Sequence, residues 1–211
     1  MSEELGRIEK PSAERFREGR KLYLVPLIYQ GTEAPGEFVE RFELYWQQVA
    51  EHIANLEASI GRAAHIFHES VTATGDEGLE LLRRLNEKSY QLCAQRCQEG
   101  TRLQATEDRA LSDECMDWER FLLMGFLSAT VAQKVSELYV DASRRRYEHI
   151  AKRIDEELGV DEAAILFIME GHWVQFPSDV EVFSVAPPAL DQIHRWLRDR
   201  QAGDEGTGQS P

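Results

Sequence analysis

The sequence predicts a mixed α/β protein: a βαβ unit and a C-terminal hairpin form a small mixed sheet, flanked by helices, with a long helical hairpin inserted. Three observations carry this. Short apolar runs recur at 21–29 (KLYLVPLIY), 63–71 (AAHIFHESV) and 163–170 (AAILFIME), of a length that suits buried strands. An apolar stripe at helical spacing separates the first two runs, so strand, helix and strand follow one another and the strands should be parallel. The third observation is the stretch Ser112–Leu158, which holds no Pro and a single Gly, Gly125.

Residues 1–20 are mostly polar and charged and predict a flexible leader. In 21–29 both alternating sets are apolar, as in a strand covered on both faces. Pro26 cannot donate to a ladder and suggests an edge or a bulge there. Pro35 suits the first turn of a helix whose stripe is Phe42, Trp46, Val49, Ile53, Leu56 and Ile60, closed by Gly61. After the second strand, Thr74 and Glu77 have capping-box spacing. They open a helix with Leu82, Leu85, Leu92 and Cys93 on one side, ending near Gly100, and 101–111 reads as a polar link.

In 112–158 Ser112 is the expected N-cap, with Asp113 and Glu114 favoured in the first turn by the helix dipole. From Phe121 to Val135 apolar side chains point in nearly every direction, which predicts burial on several sides. From Ser143 onward only one stripe is apolar, as on a surface helix. The chain then returns to 163–170, turns at Gly171 into HWVQF, and forms VEVFSV (180–185). Pro187 and Pro188 open a last helix with Leu190, Ile193 and Leu197 facing inward, and 201–211 reads as a disordered tail. The organisation expected is therefore a sheet portion from 21–72 and 163–200, with 76–158 as the helical hairpin.

At 211 residues the chain can bury a sizeable core. Its formal net charge of -14 disfavours general nucleic-acid binding, which needs a positive field. Three cysteines, an odd number, and a charged N-terminus with no apolar core predict free thiols in a cytoplasmic protein. The longest charge-free apolar stretch, Phe121–Gln133, is too short to cross a bilayer, so no membrane contact is expected.

Six features are candidates for function. His65, His68 and Glu69 lie near the end of the second strand, where α/β folds gather ligands. Strand alternation, however, puts His68 on the face opposite His65 and Glu69. Asp113/Asp117, Glu137/Asp141 and Glu148-His149 supply carboxylates and a His on the long helix. No Glu-x-x-His occurs, which argues against a bundle di-metal site, and no metal or cofactor is expected. Arg144, Arg145 and Arg146, with Lys152 and Arg153, form a local basic surface for an anion, an RNA backbone or an acidic partner, unless neighbouring carboxylates at helical spacing consume them. Cys93 and Cys97 share a helix side but have no partner pair, and with Cys115 they read as packing residues. Glu170-Gly171-His172-Trp173 could line a pocket at a sheet end. The sixth is the apolar helix face itself: Phe121, Met124, Gly125, Phe126, Ala129 and Ala132 form a candidate interface.

No phosphate loop, dinucleotide fingerprint, nucleophile elbow or HExxH motif occurs. The function expected is that of a non-enzymatic interaction or assembly protein, using 112–158 to bind itself or another protein. An enzyme or small-ligand protein using His65, His68, Glu69 and His172 is the first alternative. RNA or anion binding through Arg144–Arg153 is the second.

Overall fold

The computed structural model describes residues 16–207. In chain order the elements are β1 (Arg20–Pro26), α1 (Gly36–Ile60), β2 (Ala63–His68), α2 (Gly75–Leu85), α3 (Glu87–Gln98), β3 (Arg102–Leu103), α4 (Arg109–Met124), α5 (Ala129–Glu157), β4 (Ala163–Ile168), β5 (Val180–Ser184) and α6 (Pro188–Thr207). The fold is α/β. The expected leader lies outside the described residues up to 15. Beyond it Phe16 packs edge-on to Phe183, so 16–19 is docked. Within the expected tail, α6 continues to Thr207, and residues 208–211 lie outside the described ones.

The sheet has the order β3-β2-β4-β1-β5, and every pair in it is parallel. This corrects the expectation of a mixed sheet closed by a C-terminal hairpin. The segment 169–179 does not reverse the chain beside β4. It crosses over β1, burying Val174 and packing Phe176 against the same side as α5, and delivers β5 parallel to β1. Consequently β1 is an interior strand. Pro26 is tolerated because it is the last residue of β1, while the β5 ladder stops at Leu24 and Ser184. β3, two residues long, falls in the stretch expected to be only a link.

Two cores cover the two faces. Phe38, Phe42, Tyr45, Trp46, Val49 and Ile53 of α1 pack with Leu82, Cys93, Ile193 and the sheet residues Tyr23, Ile66 and Ile165. On the other face Ile150, Ile154 and Leu158 meet Leu22, Phe67, Ala164 and Leu166. Connections that move along the sheet in opposite directions thus use opposite faces, as crossovers of a single hand require. The stripe expected on α1 is buried except for the part-exposed Leu56, and α6 buries Leu190 and Ile193 while Leu197 stays exposed.

The long helix is broken. Asp108, not Ser112, caps the start of α4, its side chain accepting from the Leu111 amide. Gly125 then takes φ 73, a conformation open chiefly to glycine, and Ser128 caps α5 by accepting from the Val131 amide. The chain reverses there, so α4 and α5 are themselves an antiparallel hairpin. The 76–98 segment is likewise two helices, divided at Asn86, which caps α3 through the Ser89 amide. Thr74 stands at the N-cap of α2 without a side-chain capping bond.

Candidate functional site

Two regions gather the residues singled out by sequence: the C-terminal ends of the strands and the α4–α5 arm. β4 lies between β2 and β1. The connections leaving β1 and β2 pack on the α1 face, and the one leaving β4 packs on the α5 face. Such a divergence is where open parallel sheets form a crevice.

Glu69 sits at this point. One oxygen accepts from Arg146 Nη2 at 2.8 Å and the other from the Met169 amide at 2.7 Å, tying the end of β2 to the end of β4. Arg146 reaches in from α5, and its Nε lies 3.0 Å from both oxygens of Glu107. Glu107 also accepts from the Ser70 amide at 3.2 Å, and Ser70 holds φ 69, an unusual value for a residue with a side chain. Both carboxylates are buried. Burial works against the charge of Arg146, but Glu107 and Glu69 outweigh it and hold the guanidinium ionised. Tyr29 and Tyr147 border the cluster, and burial, reinforced by Glu69, pushes each phenol up to about 12.

The histidines do not converge on this cluster. His65 shares the α5 side of the sheet with Phe67, their rings stacked at 6.2 Å. The Gln104 side-chain amide lies 2.9 Å from its Nδ1, and its Nε2 lies 3.0 Å from Arg102 Nη2 and 3.1 Å from Glu162, near the start of β4. His68 faces the other core. Its Nδ1 donates to the Glu69 carbonyl at 2.6 Å and Ser89 Oγ lies 3.0 Å from Nε2. Burial lowers its pKa to about 4, against a smaller opposing effect of that carbonyl bond. His172 is half-buried in the loop after β4, its Nδ1 enclosed without a hydrogen-bond partner among the described residues. Burial lowers its pKa and Glu69 partly offsets this. Among the described residues no group of three His, Cys, Asp or Glu side chains comes together to hold a metal. Cys93, Cys97 and Cys115 are free thiols; burial raises the pKa of Cys93 and Cys97, which makes them poor nucleophiles.

The basic run faces its own carboxylates. Arg144 pairs with Asp141 and Glu148, Arg145 with Glu114 and Asp141, and Arg153 with Glu156 and Glu157. Lys152 lies 3.6 Å from Glu156. His149 is half-buried on α5. The basic run is thus partly an ion-pair lattice along the arm, and its Arg146 is part of a buried clasp.

The arm differs most from expectation. Segment Phe121–Val135 is not buried on several sides. Leu123 is 82% exposed, Met124 78%, and Leu127 is fully open, with Phe121 and Val131 about half exposed. The reason is the break at Gly125, which places these residues at the free end of a hairpin instead of the middle of a rod lying on the sheet. Gly125 and Ala129 sit exposed at this end, and Phe126 and Ala132 are half-buried. At the other end of the arm, Val140, Arg144, Tyr147, Glu148 and Ala151 of α5 form one wall of a groove of about 420 Å³, and the exposed Trp173 and Gln175 form the other.

Glu107, Tyr29, Tyr147, Trp173 and this basal groove were missed or underweighted from sequence. Glu107 stands just before an N-cap, a place where an acid is ordinary, so nothing marked it as buried. The chain matches no protein-family model, no curated protein and no solved structure. Among the described residues no helix is long and apolar enough to cross a membrane.

Proposed function

We propose that this chain is a cytoplasmic docking protein: an α/β body that carries the α4–α5 arm and presents its apolar end to another polypeptide. The observation that carries this reading is the exposure of Phe121, Leu123, Met124, Leu127 and Val131 together at one end of the arm. Single exposed apolar residues are ordinary, but a contiguous group of this size marks an interaction surface. The strand-end cluster supports the same reading from the other side. All four oxygens of Glu69 and Glu107 have donors, so the cluster acts as a clasp that fixes the arm to the body.

The test is the double variant L123E/L127E. Both sites are open to solvent, so the expected outcome is an unchanged far-UV circular dichroism spectrum together with loss of association. Glutamates that unfold the chain would show that the end of the arm packs within it, and would overturn the docking role.

A further inference from the structure

The geometry points to a second copy of this chain as what covers the arm, in a two-fold dimer. The two arms lie antiparallel, and the end of each fills the basal groove of the other. This rests on the docking role proposed above and names its partner.

Among the described residues two apolar features of the arm lack an occupant, and they are complementary in kind. The end of the arm is convex: Leu123, Met124 and Leu127 project from a tight turn. The groove at its base is concave, with Tyr147, Ala151 and Trp173 supplying an apolar lining and Arg144 and Glu148 a polar rim. From Ala129 to Tyr147 the helical rise of 1.5 Å per residue gives a separation of roughly 27 Å. An antiparallel neighbour brings its own end to the groove over the same length. An isologous interface demands this relation, since set one must meet set two and set two must meet set one.

The ground between the two features is also prepared. Met116 and Leu123 are about two turns apart on one side of α4, and Val140 and Tyr147 are similarly spaced on one side of α5. Met116 and Val140 are exposed although apolar. If fully covered, Phe121, Leu123, Met124, Leu127 and Val131 would contribute on the order of 700 Å² of residue surface, against the ~800 Å² that one partner contributes to a standard interface, and the groove wall adds to it.

Charge on the arm does not select a partner of opposite sign. Along the arm Arg120 pairs with Asp117, Lys134 with Glu137, and Arg144 with Asp141 and Glu148. These pairs leave little unbalanced field to choose an acidic or basic partner.

The experiment combines light scattering after size exclusion with cysteine cross-linking. The expected mass is twice 24.2 kDa, and Trp173→Ala, at the half-exposed groove wall, weakens association at least tenfold, as L123E/L127E does at the end of the arm. In a Cys97→Ser background, chains carrying Leu127→Cys are mixed with chains carrying Trp173→Cys under mild oxidation. Cross-linked dimer is expected from the mixture and not from either chain alone. Efficient cross-linking of Leu127→Cys alone, or association untouched by Trp173→Ala, overturns the antiparallel dimer. A monomer at ~100 µM overturns the second copy, including one that binds neutral lipid vesicles instead. With L123E/L127E still folded, that result leaves the docking role standing; unfolding of L123E/L127E removes both.

Discussion

His68 shows how burial turns a residue with functional chemistry into a structural one. It is enclosed between the Glu69 carbonyl and Ser89, and burial lowers its pKa from 6.5 to about 4. Between these values the unfolded chain binds a proton that the folded chain refuses. The neutral ring therefore contributes stability that is fully present above pH 6.5 and is lost as pH falls toward 4. The loss amounts to about 2 kcal/mol between pH 7.5 and pH 5. Urea denaturation at the two pH values is expected to show this difference in the wild type and to show most of it gone in His68→Gln. An equal pH dependence in both would locate the effect elsewhere. Arg146 is the opposite case, a buried charge that must stay. Removing it in Arg146→Ala strands two buried carboxylates, and the expected cost is about 3–5 kcal/mol. Neutralising all three groups together, as Arg146→Met with Glu69→Gln and Glu107→Gln, is expected to cost less than the single change. A triple variant less stable than Arg146→Ala would contradict the clasp.

At the scale of the element, the break at Gly125 decides what the arm is. With φ 73 and ψ 165 its conformation is one that a side chain strains. Gly125→Ala is expected to destabilise the turn by about 1–2 kcal/mol, read as faster amide hydrogen exchange in 123–130 while β1 and β4 keep their protection. Unaltered exchange in that turn would mean that the arm does not depend on the glycine. The same break accounts for the error in reading 112–158 as a single rod. Apolar spacing continues through Gly125 because both helices of a hairpin need a packing stripe, and neither stripe announces that the direction has reversed. Asn86 divides α2 from α3 in the same way, with helical spacing on both sides of a capping residue.

Across the whole molecule, apolar patterning tracked burial closely for the strands. The runs at 21–29, 63–71 and 163–170 are β1, β2 and β4 and lie in the interior of the sheet, where both faces are covered. β3 and β5 are edge strands. One has two residues and the other leaves Glu181, Val182 and Ser184 exposed, so neither carries the apolar run of an interior strand. Strand order depends on which edge a crossover reaches, and 169–179 passes over β1 because that edge was open and the α5 face needed Val174 and Phe176 to complete it. Local sequence carries no record of that choice. The arm adds a prediction at this scale. If two copies share it, the thermal midpoint rises with protein concentration in the wild type and is independent of concentration in L123E/L127E, because association stabilises only the folded chain. A midpoint constant over a hundredfold range in the wild type would speak against the pairing.

The sequence by itself determined the α/β class, the apolar runs of β1, β2 and β4, the buried stripes of α1 and α5 and the free thiols, since each follows from local spacing and residue type. It also drew attention to the apolar segment 121–135 and to the arginines 144–146. Only the tertiary structure decided that the first is open to solvent at the end of a hairpin. Only it showed that Arg146 parts company with Arg144 and Arg145 to lock onto Glu69 and Glu107, or that His65 and His68 belong to different cores. The physical reason is common to all of these. Spacing fixes which way a side chain points from its own element, but what lies in that direction is set by residues distant in sequence.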